Sequence, residues 1–119
     1  MLRASSLTTQ TEVDLNAVNG DLSAAAIGLE YGPELVEFAE AVASGDKDKL
    51  NQSRQTLLDH AGAETLVDSA GVAANFQRMV RIADSMGIPV DDMETELGKS
   101  VRSELNLTRF ASAANTLNA

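Results

Sequence analysis

This chain of 119 residues contains no cysteine, no tryptophan, two prolines and one histidine. The missing thiols remove disulfide staples, thiolate catalysis and zinc–thiolate sites together. Aromatic side chains are limited to Tyr31, Phe38, Phe76 and Phe110, so the core has to be aliphatic and rich in alanine. Alanine buries little area, so stability must come from close helix approach or from oligomerisation. No segment is basic. The formal net charge of −9 is spread along the chain, which argues against a nucleic-acid partner or an anionic membrane surface. No apolar run approaches the ~20 residues of a membrane span. The N-terminal MLRASSLTTQTEVDL has an arginine but no apolar h-region, so no signal peptide is expected and the expected location is cytoplasmic.

The length fits a single domain. Surface scaling gives ~6,200 Å² for the folded chain against ~18,000 Å² unfolded, enough burial for a modest core without disulfides or a structural metal.

What is present is helical periodicity. From Leu66 to Asp91 the sequence reads as one long buried helix with a defined stop. Val72, Phe76, Met79, Ala83 and Met86 recur alternately four and three apart and share a face. A second stripe runs Leu66, Ala70, Ala73, Val80. Two stripes imply cover on more than one side, either within a bundle or between subunits.

Residues 1–11 read as a loose tail rich in Ser and Thr, and residues 12–119 as one helical domain. A first helix is expected over Glu12–Ala26, with Val13, Leu15, Val18, Leu22 and Ala26 apolar and Gly20 a costly interruption. Gly28 and Gly32 mark a turn. Pro33 then opens a helix to about Ser44, with Leu35, Val36, Phe38, Ala39 and Val42 inward. Glu34 and Glu37 suit the positive end of its dipole, and Gly45 ends it. Asp46 is expected to cap a helix to His60 that buries Leu50, Leu57 and Leu58, with Gly62 as a left-handed C-cap. The central helix follows over about Ala63–Met86, stopped by Gly87 and Ile88-Pro89. Asp91 or Asp92 is expected to cap a helix reaching Glu104, weakened by Gly98. A short last helix, capped by Asn106 or Thr108, docks through Leu107 and Phe110. There is no strand alternation and no internal repeat. The expected architecture is all-α, a compact helical bundle of about five to six helices around one long central helix.

The run Tyr31–Asp91 carries Glu34-Leu35-Val36-Glu37-Phe38-Ala39 at one helix start. It also carries Arg81-Ile82-Ala83-Asp84, then Met86-Gly87-Ile88-Pro89-Val90-Asp91. In these residues the chain resembles the carboxymuconolactone decarboxylase and alkylhydroperoxidase-like superfamily, in its peroxidase-related branch. The resemblance covers about half of the chain and implies a helical core that associates into dimers, trimers or larger rings. Its chemistry does not transfer. Peroxidase-type members act through a Cys-x-x-Cys pair, which a chain without cysteine cannot supply. Decarboxylase-type members are thought to use a histidine, for which only His60 is available, and its neighbours do not match that motif. Val80 stands where the family often has asparagine.

Each candidate site has a structural reading beside the functional one. His60 would serve as a base if a carboxylate oriented it, and Glu64 lies within reach across the Gly62 turn. It equally suits a helix C-terminus as a cation-capable side chain. Arg78 and Arg81, with Asn75 and Gln77, would line an anion pocket at a subunit seam. The alternative is salt bridging, with Asp84 three residues on or with Glu37 or Glu40. Asp91, Asp92, Glu94 and Glu96 lack the calcium-loop spacing and read as helix-start acids, so no metal site is expected. Asp46-Lys47-Asp48-Lys49 is a solvated helix start. Gly71, among Ala70, Ala73 and Ala74, costs ~1 kcal/mol relative to alanine and implies close approach of another backbone, in this chain or a second.

The functional expectation is therefore a small acidic helical module without redox chemistry or cofactor. It forms a homo-oligomer through Gly71, Ala74, Phe76 and Met79 and binds no nucleic acid or membrane. The alternative is a decarboxylase-like enzyme or carboxylate binder using His60 with Arg78 or Arg81, its small-molecule ligand unknown.

Overall fold

A computed structural model describes residues 2–90 and 94–117. The described residues are helical or in turns, with no strand, so the fold is all-α. They form α1 (Leu2–Thr9), α2 (Leu22–Ala25), α3 (Gly32–Ser44), α4 (Lys47–Met86), α5 (Glu96–Leu105) and α6 (Ala114–Leu117). Short 3-10 turns cover Leu15–Asn19, Leu107–Arg109 and Ala111–Ala113. Within what reads in sequence as one helical domain, the contacts define two compact units, Met1–Gln77 and Arg78–Ala119, and α4 runs through the boundary.

In the first unit, the segment expected as a tail forms α1. The Thr8 and Thr9 hydroxyls donate to the carbonyls of Ala4 and Ser5 at 3.0 Å, and Ser6 is buried. These internal bonds give Ser and Thr an alternative to the loop that their composition suggests. The helix expected over Glu12–Ala26 is instead two short pieces. Gly20 adopts a left-handed φ of 87° and ends the 3-10 turn, and Asp21 starts α2 by accepting from the Ser23 and Ala24 N–H groups. A second Asx cap at Asp14, accepting from the Asn16 N–H, starts the turn itself. Capping chemistry outweighs the apolar spacing here, and Val18 and Leu22 are left exposed.

α3 and the start of α4 match the sequence reading. Pro33 lies in the first turn of α3 and Gly45 ends it at φ 70°. The Asp46 carboxylate accepts from the N–H groups of Asp48 and Lys49 at 3.0 and 3.1 Å, which starts α4. The core of this unit joins Val13, Leu15, Ala17, Ala24, Ala25, Phe38, Ala41 and Leu57, with Val36 packed against its alanines. Leu57 is 0 % exposed; Leu50 and Leu58 are half-buried, and Ala39 points outward. A Cβ on Gly32 would collide with the carbonyl of Ala25, so its hydrogen side chain is what allows α2 to lie against the start of α3.

Gly62 does not end its helix as a left-handed cap. Its φ of 85° and ψ of 172° place it in an extended region open essentially to glycine alone, and helix resumes immediately. α4 is thus two arms, 47–61 and 63–86, joined by a one-residue kink. The second arm is continuous and stops as expected at Gly87. There the Ile88 N–H donates to Ala83 and the Gly87 N–H to Asp84, a Schellman pair at 3.1 and 3.2 Å.

The second unit holds the last turns of α4, α5 and the C-terminal turns. Asp91 and Asp92, the expected caps, lie outside the described residues. α5 begins later, at Glu96, because the Thr95 hydroxyl accepts from the Gly98 N–H at 3.1 Å. Glu94 and Glu96 both reach Lys99, at 3.1 and 3.7 Å, so these acids neutralise a lysine. Asn106 is not a side-chain N-cap. It takes a left-handed φ of 49° and closes α5 through its backbone N–H. Phe110, expected to dock, is 47 % exposed and carries the Arg109 guanidinium over its ring, 4.8 Å from the centroid. The Val90 N–H donates to the Thr116 hydroxyl at 2.9 Å, tying the exit of α4 to the C-terminal turns.

The largest departure from expectation is the burial of the second arm of α4. Val72, Phe76, Met79 and Met86 are 57, 50, 51 and 71 % exposed, and Val67, Val80 and Ile82 are similarly open. The described residues therefore leave this face of the helix, which the sequence marks as central, largely uncovered.

Candidate functional site

His60 stands near the end of the first arm of α4. Its Nδ1 lies 2.7 Å from Oε1 of Glu34, in the first turn of α3. An ionised carboxylate can only accept, so Nδ1 carries the hydrogen and donates. The histidine side chain is 56 % exposed and the glutamate 21 %. The hydrogen bond from His60 is the main reason the Glu34 carboxyl sits below its ordinary pKa, with a bond to its own backbone adding to it. Beside them Tyr31 occupies a left-handed φ of 54° at the N-terminus of α3, and the neighbouring Glu30 carboxylate pushes its hydroxyl pKa up. The orienting acid is thus Glu34, 26 residues away in sequence, and not Glu64. The pair staples α3 to the first arm of α4.

Arg78, Arg81 and Asn75 are exposed on the second arm. Among the described residues no ion pair joins Arg81 to Asp84. Exposed pairs at this spacing are worth only ~0.2–0.5 kcal/mol, too little to hold two long side chains in one geometry. At 100° per residue Gly71, Ala74, Arg78 and Arg81 share the face opposite Phe76. Phe76 and Met79, with Val72, Ala83 and Met86, make the apolar face. The residues expected to form one interface therefore divide between two sides of the rod. Gly71 has open space where a Cβ would stand, so among the described residues no other backbone approaches it.

Each unit has a cleft. The first unit's, about 310 Å³, is polar, lined by Glu37, Glu40, Lys49, Gln52 and Ser53 beside Gly20. The second unit's, about 420 Å³, is largely apolar, with Val80, Ala83, Ile88, Val90 and Leu107 around Arg102 and Asp84. Sequence reasoning named neither. Glu37 carried a signal through its place near the start of α3, but the residues facing it come from a distant part of the chain. His60, Arg78 and Arg81 line neither cleft. His60 belongs to the first unit, both arginines to the second. Among the described residues no three His, Asp or Glu side chains gather as a metal site, and no helix is long and apolar enough to cross a membrane.

Compared with protein-family models, curated proteins and solved structures, the chain matches none.

Proposed function

We propose that this protein is a small acidic oligomerising module, with a structural or interaction role, whose second α4 arm is completed by another copy of the chain. One observation carries the reading. A helix of regular geometry presents Val72, Phe76, Met79, Val80, Ile82 and Met86 to solvent, each about half exposed or more. Contiguous apolar surface of this kind marks an interaction site in soluble proteins. The resemblance to a superfamily whose helical subunits assemble into dimers, trimers or rings agrees with it. Burying the exposed half of six such side chains is worth ~1 kcal/mol each per copy. Across two copies this sums to ~12 kcal/mol; against an association cost at the lower end of ~4–15 kcal/mol, about 8 kcal/mol remains, which corresponds to a Kd near micromolar.

The decarboxylase-like alternative has less support. His60 has an orienting carboxylate, as a general base requires, but neither cleft includes it. Its arginine partners belong to the other unit. Size-exclusion chromatography with light scattering tests the proposed reading. A mass above 12.5 kDa is expected. A strict monomer at tens of micromolar defeats it.

A further inference from the structure

We infer that the apolar cleft of the second unit binds a free α-amino acid with a large apolar side chain, its ammonium on Asp84 and its carboxylate on Arg102. The cleft lies within one unit of one chain, so the inference does not depend on the oligomer reading. Of the exposed apolar residues that carry that reading, Val80 alone lines the cleft.

Local chemistry builds the walls. Gly87 takes a left-handed φ of 64°, and the Ile88 N–H donates back to the Ala83 carbonyl at 3.1 Å. The chain leaving α4 thereby returns, and Ile88 and Val90 line the same cleft as Val80 and Ala83. The Val90 N–H donates to the Thr116 hydroxyl at 2.9 Å, and Thr116 is itself a lining residue. Leu107 and Phe110 of the C-terminal turns complete the apolar wall. Small-molecule sites are largely pre-formed concavities of this kind, mostly apolar with a few placed polar groups.

Volume sets the size of the occupant. A cavity of ~150 Å³ admits benzene, so the cleft's 420 Å³ takes about 17 non-hydrogen atoms, room for tryptophan with its head group.

Charge sets its chemistry. Among the described lining residues the charged side chains are one acid and one base, Asp84 and Arg102. Asp84 lies in the last turn of α4, where the negative end of the helix dipole adds to its attraction for a cation. Arg102 presents five N–H donors in a fixed fork, enough for a contact within the chain and a ligand carboxylate together. A simple apolar acid would set an anion against Asp84, and a simple amine would set a cation against Arg102. A zwitterion with an apolar body suits both charges and the wall.

The test titrates the full-length, isotope-labelled protein and follows amide shifts by nuclear magnetic resonance. Three probes are compared: tryptophan, indole-3-propionate, which lacks the amine, and tryptamine, which lacks the carboxylate. Tryptophan should shift the amides of Ile88, Val90 and Leu107 with a Kd of about 0.5 mM, at the efficiency usual for ligands of its size. Each analogue should bind about tenfold more weakly, the low end for losing a hydrogen bond to a charged group. Asp84→Asn should weaken tryptophan to the same extent without weakening indole-3-propionate, and Arg102→Gln should weaken tryptophan without weakening tryptamine. A general loss of structure does not give that crossed pattern, and the three probes on wild-type protein decide the matter if either variant fails to fold. Equal affinity for all three probes would reduce the site to apolar burial and overturn the inference. So would tighter binding of indole-3-propionate than of tryptophan, or no shift of these amides at ~20-fold the expected Kd. A monomer in solution would defeat the oligomer reading and leave this one standing.

Discussion

Replacing Phe76 by alanine separates the contribution of this side chain within one chain from its contribution between chains. Its ring is 50 % exposed, so about half of the ~3 kcal/mol available from burying a phenylalanine is already realised in the monomer. The remaining ~1–1.5 kcal/mol per copy is gained on association. A symmetric dimer contains two copies, so Phe76→Ala should weaken it by ~2–3 kcal/mol, a rise in Kd of about 30- to 150-fold. Sedimentation equilibrium at several concentrations reads this directly. The wild-type monomer–dimer midpoint should move up by one to two decades, with far-ultraviolet circular dichroism little changed, because the half of the ring covered within one chain contributes only ~1–1.5 kcal/mol. An unchanged association constant would refute the reasoning, since the ring would then have no part in assembly. A collapse of helicity would refute it from the other side, by showing that the ring holds the monomer together.

Other outcomes follow from the monomer. Leu57 is wholly buried, so Leu57→Ala should cost ~2–5 kcal/mol and lower the melting temperature by ten degrees or more in thermal denaturation. Gly62→Ala forces a side chain into φ 85°, ψ 172°; a loss of ~1–3 kcal/mol is expected in chemical unfolding. Glu34→Gln removes the carboxylate that His60 holds below its ordinary pKa. A depressed carboxyl stabilises above its unfolded value, and that contribution disappears as pH falls through the folded value. The variant should therefore melt below wild type at pH 7, and the two should converge in acid below pH ~4. Thr95→Ala removes the cap of α5 at 3.1 Å and should speed amide exchange in its first turn, in line with a loss of ~0.5–2 kcal/mol.

The elements legible in sequence were those whose ends are fixed by one residue. Pro33, Gly45, Asp46 and Gly87 start or stop helices where local chemistry demands it, and the structure places those boundaries accordingly. Over Glu12–Ala26 the apolar spacing predicts one helix, whereas Gly20 and the two aspartate caps divide it. At Gly62 a positive φ is shared by a left-handed cap and a kink; ψ separates them and depends on whether helix follows. The second arm of α4 departs furthest, being open where its periodicity predicts burial. Periodicity shows that a face is apolar, yet it does not say whether the cover comes from the same chain. The His60–Glu34 pair was half legible. The histidine stood out as the only one, whereas its partner, 26 residues earlier, was explained by the helix dipole.

Radical footprinting of Met79 and Met86 puts the whole scheme at risk most directly. In one chain these thioethers are 51 and 71 % exposed, and exposed methionine oxidises readily to the sulfoxide. If another copy covers them, both should be protected at high protein concentration and lose that protection on dilution. Oxidation as fast as in a short methionine peptide at every concentration would contradict it.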